Sequence, residues 1–118
     1  MKTKVKICGI TNLKNALEAT ETGADALGFV FFKDSPRYIE PKEARKIISK
    51  LPAFVLRVGL FVNASKEEVL SAISDSKVNI LQFHGDEDEN FCSQFNLPYI
   101  KAIAFTDSLN LLEYCRLY

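Results

Sequence analysis

The sequence is poor in the residues that build metal sites and disulfide frameworks. It contains one histidine and three cysteines, and it has no tryptophan. Cys8, Cys92 and Cys115 are odd in number, widely separated and without metal-type spacing. We therefore expect reduced thiols in a cytoplasmic protein. A single histidine is too few for a histidine-rich metal site. P-loop, G-x-G-x-x-G, Cys-x-x-Cys and H-E-x-x-H motifs are also missing.

The chain also lacks an excess of one charge and any long apolar run. Fifteen basic residues balance fifteen acidic ones, so there is no electrostatic case for binding nucleic acid or an anionic membrane. No apolar stretch approaches the ~20 residues of a membrane span. The basic start is not followed by an apolar signal region. We expect neither a nucleic-acid partner nor a membrane partner.

What is present is a regular alternation of short apolar runs and longer amphipathic stretches. A length of 118 residues predicts one domain, comprising residues 1–118. The apolar runs predict strands at residues 5–7, 26–32, 54–62, 79–83 and 99–105. The amphipathic stretches predict helices over 12–22 and 86–94, and helices that begin at Pro41, at the Ser65 capping box and at Ser108.

This βα order predicts an α/β fold with a parallel sheet and right-handed crossovers. Two architectures remain open. One is an open, doubly wound sheet. The other is part of a closed (βα)8 barrel, which usually takes about 250 residues. In both, ligands bind at the carboxyl ends of the strands, where Cys8, Gln82, His84 and Lys101 fall.

Cys8 follows directly on the first apolar run. A lone cysteine is most often a small buried hydrophobe. Here Gly9 allows a tight turn because it has no Cβ, so the thiol can face a pocket. A nearby helix N-terminus lowers the pKa of a thiol and favours the thiolate, which can act as a base or nucleophile.

Arg37 lies in the loop after the second predicted strand. A loop arginine is ordinarily solvated. Pro36 stiffens the chain beside it, and the loop lies at the carboxyl end of the sheet. A guanidinium held there is suited to bind a carboxylate or phosphate through two parallel hydrogen bonds.

Gln82 and His84 are two residues apart, so strand alternation sends both to one face. Gln82 can point into a pocket with His84 above it at the rim, and His84 is the one side chain that ordinarily titrates near neutrality. The alternative is a core glutamine and a turn histidine. Asp107 and the acidic residues 86–89 read as solvated helix caps.

Several motifs together resemble one known family. They are residues 6–11 (KICGIT), 23–32 (GADALGFVFF), 35–38 (SPRY), 58–63 (VGLFVN), 81–85 (LQFHG) and 100–103 (IKAI). In this order and spacing they are similar to phosphoribosylanthranilate isomerase of tryptophan biosynthesis. The resemblance implies a (βα)8 TIM barrel, of which this chain would supply about five βα units. It also implies an Amadori rearrangement of an aminoaldose to an aminoketose.

The resemblance also implies roles for the candidate residues. An acid protonates the ribose ring oxygen and opens the ring, and Cys8 then removes the proton from C2′ as the general base. Arg37 binds the anthranilate carboxylate, and Gln82 and His84 line the pocket. The substrate is a phosphosugar attached to anthranilate, and no cofactor or metal is implied.

Two parts of the family pattern are not found in this sequence. The general acid of the family is an aspartate after the strand that follows the fifth, and Asp107 comes too early to be that residue. The phosphate site lies in later loops still. We therefore expect an incomplete parallel barrel that is inactive alone and that either self-associates through its open sheet edges or is a truncated product of a longer gene. The competing interpretations are a non-catalytic βα half-barrel assembly module and a flavodoxin-like binding domain.

Overall fold

The computed structural model describes residues 2–104 and 110–118. Within them the chain alternates strands and helices as the periodicity predicts. The strands are β1 (Lys6–Cys8), β2 (Ala26–Val30), β3 (Leu56–Phe61), β4 (Ile80–Phe83) and β5 (Tyr99–Lys101). The helices are α1 (Leu13–Glu21), α2 (Pro41–Ile48), α3 (Lys66–Ser76), α4 (Glu89–Ser93) and α5 (Leu111–Leu117). None of these helices is both long and apolar enough to cross a membrane.

All five strands run parallel, and their spatial order is their chain order, β1-β2-β3-β4-β5. A flavodoxin-like sheet has the order 2-1-3-4-5 and carries helices on both faces. The observed order is that of successive units of a βα barrel. The prediction of a partial barrel is confirmed, and the flavodoxin-like interpretation is wrong.

One face of the sheet packs on the helices. Its strand residues point outward from the curved sheet and join helix residues in a single core. Those fully buried strand side chains are Leu27, Phe29, Phe61, Leu81 and Phe83. We call this the helix side of the sheet.

The alternate residues of the same strands point to the opposite, concave side. Paired residues of a parallel ladder share a face, and here Cys8 pairs with Gly28, Gly28 with Val58, and Val58 with Ile80. Toward the amino ends of the strands this side forms a groove of about 460 Å³. Its strand residues are Lys6, Ala26, Leu56, Val58, Ile80 and Ile100.

Helix starts and stops follow local chemistry. The Asn12 side chain accepts the Asn15 N–H at the start of α1, and Ser65 accepts the Glu68 N–H at the start of α3. Pro41 occupies the first turn of α2, where its missing N–H costs nothing. Gly23 follows α1 with φ +102°, as a residue in a left-handed helix stop should.

The strand ends differ from the predictions for a physical reason. The prediction placed strand five over residues 99–105, but β5 ends at Lys101. Its neighbour β4 ends at Phe83, and the last bond between them runs from the Ala102 N–H to the Phe83 carbonyl. Among the residues that the structure describes, the pairing of β4 with β5 does not continue beyond that point. Residues 105–109 lie outside the described residues, including Asp107 and the predicted cap Ser108; α5 is capped by Asn110.

Candidate active site at the carboxyl ends of the strands

Cys8 is the last residue of β1, and its thiol lies on the concave side, half-buried. The space it occupies exists because Gly28 stands opposite it. A Cβ built on Gly28 would lie 2.9 Å from Cys8 Sγ and 3.2 Å from Cys8 Cα. Any side chain at position 28 would therefore displace the thiol.

The turn after Cys8 is held by one carbonyl. The N–H groups of Gly9 and Ile10 both donate to the Gly28 carbonyl, each at 3.0 Å. Gly9 has φ +87°, a conformation that glycine adopts without the steric cost of a Cβ. The tight turn predicted from the sequence is confirmed, and it directs the chain away from the sheet toward α1.

Arg37 crosses over this turn. Its Nη1 donates to the Cys8 carbonyl at 3.3 Å. A Cβ on Gly9 would lie 2.6 Å from Arg37 Cδ and 2.7 Å from its Nη1. Gly9 thus makes room for the guanidinium as well as for the turn. The Arg37 side chain remains exposed, so its other N–H groups are open to a ligand.

The loop that carries Arg37 follows β2 and is bound back to the end of that strand. Tyr38 forms a parallel bridge with Val30, and the Ile39 N–H donates to the Val30 carbonyl at 3.0 Å. Within the loop, Ser35 Oγ accepts the Arg37 N–H at 3.2 Å. These contacts hold the loop at the carboxyl end of β2, so the structure brings Arg37 and Cys8 together.

Gln82 lies on the concave side of β4 and is 9% exposed. Its Oε1 is buried and has no hydrogen-bond partner within the described part of the chain. A buried acceptor without a donor costs free energy unless a ligand, water or another segment satisfies it. Gln82 therefore presents an unused acceptor to the concave side.

His84 follows β4 and is exposed at the rim, as predicted. The backbone N–H of His84 donates to the Phe61 carbonyl at 2.9 Å. Three inter-strand spacings separate β1 from β4, roughly 14 Å along the sheet. The four candidates thus form two pairs on one end of the sheet: Cys8 with Arg37, and Gln82 with His84.

One prediction about charged residues is confirmed and one is wrong. Lys101 lies at the carboxyl end of a strand, since it is the last residue of β5, but it pairs with Phe83 and so faces the helix side rather than the concave side. The prediction that Glu87 is a solvated helix cap is wrong, because Glu87 is 6% exposed and forms a salt bridge with Lys101 at 3.0 Å. Asp88 alone caps α4, accepting the Phe91 N–H at 2.8 Å.

The sequence contained a partial signal for this pair. Alternation places Lys101 with Tyr99 on the face opposite Ile100, and that face is apolar, so a partner of opposite charge is required there. Which of four neighbouring acidic residues supplies it depends on the path of the loop after β4, which no sequence pattern specifies.

Residues 2–104 and 110–118 contain no three histidine, cysteine, aspartate or glutamate side chains grouped as metal ligands. All three cysteines are free thiols. Burial raises the pKa of Cys92 to about 11, which keeps that thiol protonated on the helix side. The chemistry available on the concave side is that of a thiol, a guanidinium, an amide and an imidazole.

Known proteins are similar to this chain over its whole length. The sequence model of the family described as N-(5'-phosphoribosyl)anthranilate (PRA) isomerase matches residues 5–118. The N-(5'-phosphoribosyl)anthranilate isomerase of Nitrosomonas eutropha is 51% identical over 118 residues, which are 100% of this chain and 57% of that protein. The chain therefore spans about half the length of the curated relatives it matches.

Solved structures of the same family are also similar to this chain and are likewise covered over only part of their length. A crystal structure of phosphoribosyl anthranilate isomerase in complex with reduced 1-(o-carboxyphenylamino)-1-deoxyribulose 5-phosphate superposes with a TM-score of 0.86 at 47% identity, over 89% of this chain and 55% of that one. Monomers generated from the dimeric enzyme of Thermotoga maritima superpose with a TM-score of 0.88 at 41% identity, over 95% of this chain and 59% of that one.

Proposed function

This chain belongs to the N-(5'-phosphoribosyl)anthranilate isomerase family, and from that premise we propose that it carries the base and the carboxylate-binding part of an isomerase active site. The reaction is the Amadori rearrangement of N-(5'-phosphoribosyl)anthranilate to 1-(2-carboxyphenylamino)-1-deoxyribulose 5-phosphate. The observation that carries the proposal is the concave-side thiol of Cys8, with the Arg37 guanidinium bonded to the carbonyl of the same residue.

In this proposal Cys8 is the general base. An acid first protonates the ribose ring oxygen, and the C1′–O bond breaks to give an imine. The Cys8 thiolate then takes the proton from C2′. The electron pair of the C2′–H bond forms the C1′–C2′ double bond of an enolamine, while the π electrons of the imine move to its nitrogen. Loss of the O2′ proton and protonation at C1′ give the ketone.

Arg37 would bind the anthranilate carboxylate. Its Nη1 is already oriented by the Cys8 carbonyl, so part of the ordering cost is met before substrate arrives. The remaining N–H groups of an exposed guanidinium match the two oxygens of a carboxylate. This would place the anthranilate ring beside β1 and β2 and direct the ribose toward the thiol.

Gln82 and His84 would bind the substrate from the other side. Gln82 Oε1, which accepts no hydrogen bond from residues 2–104 or 110–118, suits a sugar hydroxyl, which can donate one hydrogen bond to it. His84 at the rim would contact the outer part of the ligand. The proposed general acid and phosphate site are expected from strands that follow β5 in the relatives, which are almost twice as long.

We propose accordingly that the 118 residues alone have little isomerase activity and need a complementary βα segment. The edges of the described sheet are β1 and β5, and the groove on the concave side exposes Leu56 to 44% and Ile100 to 42%. Open strand edges pair with further strands through backbone hydrogen bonds, and exposed apolar side chains pack against them. The second candidate function, a half-barrel module that assembles with another copy, rests on the same surface.

The test is an activity assay with and without complementation. The chain is mixed with a polypeptide that comprises the part of the Nitrosomonas eutropha relative beyond its match, and loss of the fluorescent anthranilate substrate is followed. We expect activity only in the mixture. We expect Cys8→Ala to lower kcat by at least about 100-fold, the usual scale for a general base, and Arg37→Met to raise KM.

Matched variants separate these roles from general damage. Cys115→Ala removes an exposed thiol, and Arg45→Met removes an exposed guanidinium of α2; both should retain the activity of the mixture. Equal activity of the Cys8→Ala mixture would exclude Cys8 as the base. Sedimentation of the chain alone tests the assembly module, because a stable monomer contradicts it.

The remaining expectations rest on the sequence and stay predictions. They are a cytoplasmic location, the absence of a cofactor, and the absence of a nucleic-acid or membrane partner.

A further inference from the structure

A buried ion pair lies directly beneath the rim that bears His84. The side chains of Glu87 and Lys101 are each 3% exposed, and Lys101 Nζ lies 3.0 Å from Glu87 Oε1. Removing one partner from such a pair leaves a buried charge without compensation. The pair lies on the helix side of the sheet, where it cannot touch a ligand on the concave side.

Both ions bind the backbone of the same residue, Gly85. Glu87 Oε1 accepts the Gly85 N–H at 2.8 Å, and Lys101 Nζ donates to the Gly85 carbonyl at 2.6 Å. The two peptide groups that flank Gly85 are therefore fixed by charged partners. Hydrogen bonds to ionised groups are the stronger ones, so this is a rigid attachment.

The same carboxylate reaches the loop after β3. Glu87 Oε2 accepts the Asn63 N–H at 2.7 Å, and Asn63 Oδ1 accepts the Asp86 N–H at 2.7 Å. A Cβ on Gly85 would lie 2.5 Å from Asn63 Oδ1, so the two loops are in close contact. Burial raises the pKa of Glu87, but hydrogen bonds from the N–H groups of Asn63, Glu87 and Gly85 and from the Lys101 ammonium outweigh it. The pKa of Glu87 therefore lies below its ordinary value.

The consequence concerns the residue just before Gly85. The His84 N–H is bound by the Phe61 carbonyl, and the next two N–H groups are bound by Glu87 and Asn63. The backbone on both sides of the His84 Cα is thus held. We propose that the Glu87–Lys101 pair positions His84 at the rim by clamping the loop that follows β4. Glu87 and Lys101 are then positioning residues.

The inference rests on the proposed function only in the substrate-binding role given to His84. The clamp itself can be tested in the 118-residue chain by NMR, because His84 is the one histidine and gives a single imidazole signal. The variants are Glu87→Gln and Lys101→Met. A glutamine offers one acceptor oxygen where the carboxylate has two, so either the Asn63 or the Gly85 N–H loses its partner.

We expect amide exchange at Asn63 or Gly85 to become at least about tenfold faster in each variant, relative to amides of the strand interior such as Leu27. The His84 imidazole resonances should shift as well. The control is the exposed pair Glu43–Lys46 on α2, which has the same 3.0 Å distance; Glu43→Gln and Lys46→Met should change neither quantity.

An equal rise in the amide exchange rates of Asn63, Gly85 and Leu27, with an unshifted His84 imidazole signal, would overturn the proposal. The ion pair would then contribute only to overall stability. Should a single variant not fold, the double variant Glu87→Gln/Lys101→Met removes both charges and is read in the same way. In the complemented enzyme we expect Glu87→Gln to raise KM more than it lowers kcat. Failure of complementation would count against the proposed function and leave the NMR result decisive for the clamp.

Discussion

The two faces of the sheet are built from alternate residues of the same five strands, but they follow different rules. On the helix side, Phe61 and Phe83 have rings 6.1 Å apart and are almost completely buried. On the concave side, Gln82 has a buried oxygen without a hydrogen-bond partner among the described residues, and Leu56 and Ile100 are partly exposed. The helix side holds the largest buried side chains of the core, and the concave side has groups available for a ligand or a further strand.

The comparison shows how one strand can serve stability and chemistry together. In β4, a residue that contributes to the core is followed by one that does not. A substitution at the core position can therefore change stability without changing the chemistry, and a substitution at the concave-side position can do the reverse. This division makes the two faces separable by mutation. The largest expected difference is between neighbouring residues of β4, and smaller ones distinguish the cysteines and the glycines.

Phe83 and Gln82 provide the strongest test of this division. Phe83 is fully buried and packs against the rings of Phe91, Phe95 and Tyr99. We expect Phe83→Ala to reduce the free energy of unfolding by about 3–5 kcal/mol, through lost contacts and a cavity. Gln82→Met should change it by less than about 1 kcal/mol, because an apolar side chain of similar length removes an unsatisfied acceptor. Urea denaturation of both variants measures this, and equal losses would show that the concave side is packed like the helix side.

The pattern of strands and helices was predictable because each element carries its own signal. The spacing of apolar residues predicts the buried face of α2, and the proline in its first turn predicts where it begins. The glycine at position 9 predicts the turn after Cys8. Strand lengths were not predictable, since β5 ends where its neighbour β4 ends. Within the site, Cys8 and Arg37 were found from their places in the chain. Glu87 was missed because its burial depends on a loop path.

The thiols distinguish the two faces by reactivity. Cys92, on the helix side, has 0% exposure and a pKa of about 11, whereas Cys8 on the concave side is half-buried and Cys115 is exposed. We expect iodoacetamide to modify Cys92 at least about 100-fold more slowly than Cys115, since alkylation needs an accessible thiolate. Cys8 should react at a rate between the two. Site-resolved mass spectrometry at pH 8 measures all three rates in one sample, and rapid labelling of Cys92 would contradict the assignment of faces.

The pH dependence of Cys92 has a defined sign. Its folded pKa of about 11 lies above the ordinary 9.0, so the neutral thiol is favoured by folding. The resulting stability is fully present below pH 9 and is lost as the pH rises from 9 toward 11. In Cys92→Ala, denaturation midpoints should fall less steeply over that range than in the parent chain.

Glycines of adjacent strands give the smallest and most specific comparison. Gly28 faces the concave side, where a Cβ would lie 2.9 Å from Cys8 Sγ. Gly59 faces the helix side, where a Cβ would lie 3.0 Å from Phe31 Cε2 and 3.1 Å from Val78 Cγ2. We expect Gly28→Ala and Gly59→Ala each to destabilise the fold by about 1–2 kcal/mol through overpacking.

The rate of Cys8 alkylation separates the two substitutions. Gly28→Ala should change that rate because the added methyl group moves the thiol, whereas Gly59→Ala should leave it unaltered. Combining Gly28→Ala with Cys8→Ala should recover part of the lost stability, since the sulfur that the methyl group meets is gone. The recovery would be incomplete, because Cys8 Cα would still lie 3.2 Å from the new Cβ. If Gly59→Ala altered Cys8 reactivity as strongly as Gly28→Ala, the two faces would be coupled through the strands, and the separation of packing from chemistry would not hold.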